Sequence, residues 1–196
     1  MNLGRFVRNP IGWIKESMSS AKQNQTIGAG EHAPDFRLED LAGGGEKTLG
    51  ELLKRGPVFL AFFKVSCPTC QYTLPFVERI FRGQASGGSS MFAVSQDDAE
   101  ATREFHQEFG ITMPTLLDNA RFGYPASNAY GLSHVPSMFL IEGAGNVSWS
   151  SIGFVRKDLE ALGEKLGAKP FKPGEKVSIF TFRIEPPGQT AAEAPK

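Results

Sequence analysis

The chain reads as an α/β protein: a central mixed β-sheet flanked by helices, with an N-terminal helical extension and an extra C-terminal strand. Three observations predict this. An apolar run over residues 58–65 has the continuous character of a strand buried on both faces, and a segment of helical spacing follows it. A second buried run over 91–95 is again followed by a helical segment. The last third holds a hairpin pattern and a closing helix. Strands alternating with helices, then a hairpin and a terminal helix, call for a mixed sheet covered by helices.

Residues 1–29 form an extension. Pro10 starts a short helix whose Ile11, Ile14, Met18 and Ala21 share one face, which packs on the domain or on a second subunit. Residues 33–38 are extended, and 41–47, with Gly43, Gly44 and Gly45, form a loop. Thr48 caps a helix over 49–54, with Glu51 three residues on completing a capping box. The strand over 58–65 leads to Cys67. After it, Leu74, Val77, Ile80 and Phe81 recur at helical spacing, and Pro75 inside that pattern predicts a kink. A Gly/Ser loop over 83–90 precedes the 91–95 strand. Residues 97–109 read as a helix with Ala101, Phe105 and Phe109 inward, ended by Gly110.

Thr115–Leu117 is a third strand, closed by an Asp118-Asn119 turn, and 126–130 are helical. A strand over 137–142, a turn at 143–146 and a return strand Val147–Ile152 make the hairpin, and Arg156–Leu166 closes the domain. Residues 177–184 alternate as one further strand with apolar side chains on both faces. The tail 186–196, rich in Pro, Ala, Gln and Glu, has the composition of a disordered segment. The organisation is thus an extension (1–29), one domain (30–168), a C-terminal extension with a strand (169–185) and a tail (186–196).

Composition narrows the partners. The 196 residues are 40% apolar, enough for a real core, and 21 basic residues balance 21 acidic ones. That balance gives no ground for nucleic acid or an anionic membrane as partner. No run approaches 18 apolar residues, so no integral membrane segment is expected. Residues 1–18 lack an apolar signal core, and a cytoplasmic location is the expectation. Oligomeric state is left open.

The chain has two cysteines, in Cys67-Pro68-Thr69-Cys70. A dithiol at the end of a strand and the start of a helix is suited to cycling between thiol and disulfide. A thiol attacks as thiolate, and a helix N-terminus lowers its pKa through unpaired N–H groups and the dipole. Cys67 therefore falls at the N-cap as the exposed nucleophile, and Pro68 falls at the first helical position, where its missing N–H costs nothing. Cys70, one turn on, is the buried resolving thiol. Half of a zinc site would need further ligands, and His32, His106 and His134 are not paired at short spacing. A purely structural disulfide across so small a loop would remove little unfolded-state entropy. No metal and no organic cofactor are called for.

The chain resembles the thioredoxin superfamily over roughly residues 30–168. The likeness is to the redoxin (AhpC/TSA) branch, close to TlpA/ResA-like thiol–disulfide oxidoreductases, which are membrane-tethered bacterial reductases. Three markers in order carry the resemblance. They are Gly30-Glu31-His32-Ala33-Pro34-Asp35-Phe36, the Phe62-Phe63 strand running into the dithiol, and Val135-Pro136-Ser137-Met138-Phe139-Leu140-Ile141. The resemblance implies a thioredoxin-like fold, with residues 96–119 as an insertion. It also implies that Pro136 is a cis-proline packed beside the dithiol. Val135, with Pro68 and Thr69, then forms the substrate-binding surface.

The same branch holds peroxidases, whose pattern sets Pro and Thr ahead of the reactive cysteine and an Arg on a strand. Here those positions hold Leu60, Lys64 and Pro136. Dithiol exchange with a protein disulfide or dithiol partner is favoured over peroxide, although Lys64 offers a positive charge beside a thiolate. A non-catalytic binding module on this fold is the third reading. Ser66 stands where thioredoxins carry Trp. The acids that activate the second cysteine in the two reductase types would fall at Ala61 and Thr73, neither of which is acidic. Glu78, Asp35 and His134 are the candidates left, with His134 a surface residue or a proton shuttle. Asp97, Asp98 and Glu100 read as helix-capping acids.

Overall fold

The computed structural model describes residues 25–84 and 89–177. The helix expected within 1–29 lies outside the described residues, as do positions 178–184 of the expected strand and the whole tail. The domain is built from β1 (Arg37–Asp40), β2 (Glu46–Thr48), α1 (Leu49–Leu53), β3 (Val58–Phe63), α2 (Pro68–Gly83), β4 (Ser90–Ser95) and α3 (Ala99–Phe109). These are followed by β5 (Thr115–Leu117), α4 (Pro125–Ala129), β6 (Ser137–Ile141), β7 (Val147–Ile152) and α5 (Arg156–Leu166). The seven strands form one sheet in the order β2-β1-β5-β4-β3-β6-β7. β3 pairs parallel with β4 and antiparallel with β6, so the sheet is mixed, as the alternating pattern predicts.

Every residue of β3 is buried. Phe59, Ala61 and Phe63 face a core shared with α2, α3 and α5, while Val58, Leu60 and Phe62 face the opposite core with Leu49, Tyr130 and Phe139. The period-2 alternation of a strand divides one apolar run between two cores. Each such side chain contributes ~1.5–3 kcal/mol by burial. Trp149 packs on Phe59 with ring centroids 6.3 Å apart; Trp13 lies outside the described residues.

The expected capping box is present: Thr48 accepts from the Glu51 N–H, and the Glu51 side chain accepts from the Thr48 N–H. Two expectations need correction. Residues 41–47 are not all loop, because β2 begins at Glu46 and pairs antiparallel with β1. Gly43 and Gly45, both at positive φ, turn the chain so sharply that the hairpin fits within the glycine stretch. A three-residue edge strand of polar residues carries no apolar alternation to betray it. In α3 the buried residues are Thr102 and Phe105, with Ala101 only half-buried. The Thr102 hydroxyl meets Ser95 Oγ at 2.7 Å and the Asp98 carbonyl at 2.6 Å, so a polar residue goes inward with its hydrogen bonds satisfied.

Candidate functional site

β3 ends at Phe63, and the turn that follows places Cys67 as the N-cap of α2, with Pro68 at the first helical position. Both cysteines are free thiols and both are buried, so Cys67 is not the exposed thiol expected from the sequence: the Val135 carbonyl lies 3.5 Å from its sulfur. Thr69, expected on the substrate-binding surface, is buried too. Cys67 Sγ accepts from the Cys70 N–H at 3.4 Å and lies 3.5 Å from the Val135 carbonyl. The Cys67 N–H donates to the Lys64 carbonyl at 3.1 Å, and the Cys67 carbonyl accepts from Gln71 N–H at 3.0 Å. The site is therefore closed from two sides, by α2 and by the segment leading into β6.

The two thiols differ sharply. Cys67 is pulled down to about 6, first by the Cys70 side chain, then by the backbone N–H groups of Cys70 and Thr69 and by the Thr69 side chain; partial burial opposes them. Cys70 is fully buried, and burial pushes its thiol far up, with the Cys67 thiolate adding to the effect. An anion at a helix N-terminus meets several donors, while the same anion at Cys70 would have the Lys64 backbone N–H against a larger cost of burial. One thiol is ready to attack and its neighbour is held protonated.

Facing the dithiol, the Val135-Pro136 peptide is cis, as the resemblance implies. Pro136 is buried and Val135 half-buried. The turn is braced by Ser137, whose hydroxyl donates to the His134 carbonyl at 2.6 Å. Beside it lies a shallow groove of about 160 Å³ lined by Gln96, Leu132, Ser133, His134 and Val135. His134 Nδ1 is 2.8 Å from Ser133 Oγ, and its Nε2 is buried with no hydrogen-bond partner among the described residues. Gln96 Nε2 donates to Ser127 Oγ at 2.9 Å, and Ser127 in turn donates to the buried Asp118 carboxylate at 2.6 Å. Asp118 also accepts the N–H groups of Ala126 and Ser127. The pair predicted as a plain turn thus includes a buried acid that caps α4 and fixes one wall of the groove.

Of the acids expected to serve Cys70, none points at it. Glu78 is buried but bonded to the Thr112 hydroxyl and the Met113 N–H. Asp35 accepts from the N–H groups of Phe36 and Gly50. Lys64 has an exposed side chain and meets the cysteines through its backbone. Asp97 is the acid that sequence reasoning placed elsewhere. Asp98 alone is the N-cap of α3, whereas Asp97 Oδ2 accepts the Val65 N–H at 2.7 Å and acts electrostatically on Cys70. The only signal for this was its place two residues past β4, matching Val65 two residues past β3. Among the described residues no group of His, Cys, Asp and Glu is arranged to hold a metal, and no helix is long and apolar enough to cross a membrane.

Known proteins share these features. The model of the AhpC/TSA family matches residues 29–150. The thiol-disulfide oxidoreductase ResA of Halalkalibacterium halodurans is 33% identical over 120 residues, 61% of this chain and 65% of that protein. ResA of Geobacillus thermodenitrificans is 30% identical over 137 residues, 69% of this chain and 76% of that protein. Among solved structures, the thioredoxin domain of a thiol-disulfide oxidoreductase from Bacteroides vulgatus matches with a TM-score of 0.62 at 20% identity, covering 71% of this chain and 97% of that one. That last likeness carries the thioredoxin-like fold alone. The matched stretch runs from the first marker into β7 and contains both the dithiol and the cis-proline, so the chain belongs to the AhpC/TSA family, among its thiol–disulfide oxidoreductases.

Proposed function

We propose that the protein reduces disulfide bonds in a protein partner and is recharged by a second dithiol. The observation that carries this reading is the inequality of the thiol pair: Cys67 is lowered to about 6 and lies 3.5 Å from the Val135 carbonyl, while Cys70 is buried with its N–H 3.4 Å from Cys67 Sγ. Cys67 as thiolate attacks one sulfur of the partner disulfide; the partner's other sulfur leaves as thiolate and takes a proton. Cys70 then loses its proton and attacks Cys67 Sγ, releasing the partner's second thiol and leaving Cys67–Cys70 as a disulfide. The Val135 carbonyl lies beside the reacting sulfur, and backbone pairing there with a strand-like stretch of the partner would hold the substrate disulfide against Cys67.

Peroxide is the weaker substrate. Leu60, Lys64 and Pro136 offer neither the hydroxyl nor the guanidinium that would polarise an O–O bond. Paired stopped-flow assays on one reduced sample test the choice. Rapid reduction of a model protein disulfide with slow consumption of hydrogen peroxide is expected. Fast peroxide consumption, lost in Cys67→Ser, would overturn it. Cytoplasmic residence belongs to the same proposal, motivated by the small cysteine count, and fractionation of the native source checks it; recovery with membranes or outside the cell would refute it.

A further inference from the structure

The two thiols are tied to one short piece of backbone. Cys67 N–H donates to the Lys64 carbonyl at 3.1 Å, and Cys70 receives a backbone hydrogen bond from Lys64. The next residue is gripped on both of its peptide groups: Gln71 Nε2 donates to the Val65 carbonyl at 2.9 Å, and the Val65 N–H donates to Asp97 Oδ2 at 2.7 Å. Asp97 is itself held in place. The parallel register pairs Phe63 with Ser95, Gln96 N–H continues the ladder to the Phe63 carbonyl at 3.0 Å, and Asp97 N–H donates to Ser95 Oγ at 3.2 Å. Ser95 Oγ is in turn bonded to buried Thr102.

Resting on the dithiol-exchange reading, we propose that Asp97 is a positioning residue for the dithiol. It anchors the Lys64–Val65 backbone, which in turn holds Cys67 through the Lys64 carbonyl and Gln71 of α2 through the Val65 carbonyl. Lys64, from the segment after β3, meets the dithiol through its backbone, and its side chain is exposed. In the resolving step the Cys70 S–H bond breaks, the Cys70–Cys67 bond forms, the bond from Cys67 to the partner sulfur breaks, and the proton ends on the departing thiol.

Reaction with an aromatic disulfide that releases a coloured thiolate separates the two steps, because each cysteine liberates one equivalent. Asp97→Asn keeps an oxygen for the Val65 N–H, so both releases should match wild type within about twofold. Asp97→Ala removes the anchor and should slow the first release about threefold or more, with its pH profile displaced to higher pH as Cys67 shifts from the helix N-terminus; half a pKa unit is about threefold in thiolate. Wild-type behaviour of Asp97→Ala, or a loss in Asp97→Asn equal to that in Asp97→Ala, overturns the anchor. If wild type releases no first equivalent, the exchange reading itself fails, an outcome distinct from either.

Discussion

At the scale of single residues, the chemistry rests on two identical side chains made different by three positions of helix. The N-cap sulfur collects donors, and the sulfur one turn on is buried beneath it. Alkylation of Cys67 in the reduced protein should therefore rise with pH through about 6 and level off by neutral pH, where an ordinary thiol would still be climbing. An iodoacetamide profile checks this; a midpoint at the ordinary thiol value refutes it. Thr69→Val removes one side-chain donor while leaving the Thr69 N–H, so the midpoint should move upward. Stability follows the same sign. A thiol whose folded pKa is lowered stabilises the reduced fold above the unfolded value and loses that contribution as pH falls through about 6. The gap in Tm between the reduced protein and Cys67→Ser should widen from pH 6 to pH 8. Above the ordinary thiol range Cys70, raised by burial, works in the opposite sense.

At the scale of elements, local signals and cross-chain contacts share the work. The Thr48–Glu51 box lies within four residues, so the sequence alone displays it and the structure repeats it. Thr48→Ala should cost ~1 kcal/mol in a urea titration, because it leaves helix donors without partners. Pro75 sits inside α2, which continues through it to Gly83, and both cysteines lie ahead of it. α3 shows where local reading stops. Its apolar spacing singled out Ala101, but the buried position belongs to Thr102, because Ser95 and the Asp98 carbonyl satisfy its hydroxyl. β2 escaped notice for a related reason: its register comes from pairing with β1, not from any pattern of its own. Asp97 and Asp98 are adjacent acids with unrelated jobs, one reaching back 32 positions to Val65 and the other capping α3.

At the scale of the molecule, β3 is the hub, paired on both sides and packed on both faces. Phe62 meets Tyr130 and Phe139 at ring separations of 5.2 and 5.9 Å. Phe62→Ala should cost ~3–5 kcal/mol of stability and lower the urea midpoint far more than Thr48→Ala. If the two losses were similar, the hub picture would be wrong. The sequence by itself determined the α/β class, the order of strands and helices apart from β2, and the dithiol at a helix start. These are written in periodicity, caps and neighbours a few positions apart, where backbone geometry leaves little freedom; the proline across from the dithiol was implied by the family resemblance instead. Only the tertiary structure decided that Asp97 rather than Glu78 or Asp35 holds the segment running into the dithiol, that Gln96 and His134 share a groove, and that Asp118 caps α4. Those contacts join residues brought together by the parallel register of β3 with β4 and by the return of the chain at β6, and neither register nor return is fixed by any local pattern.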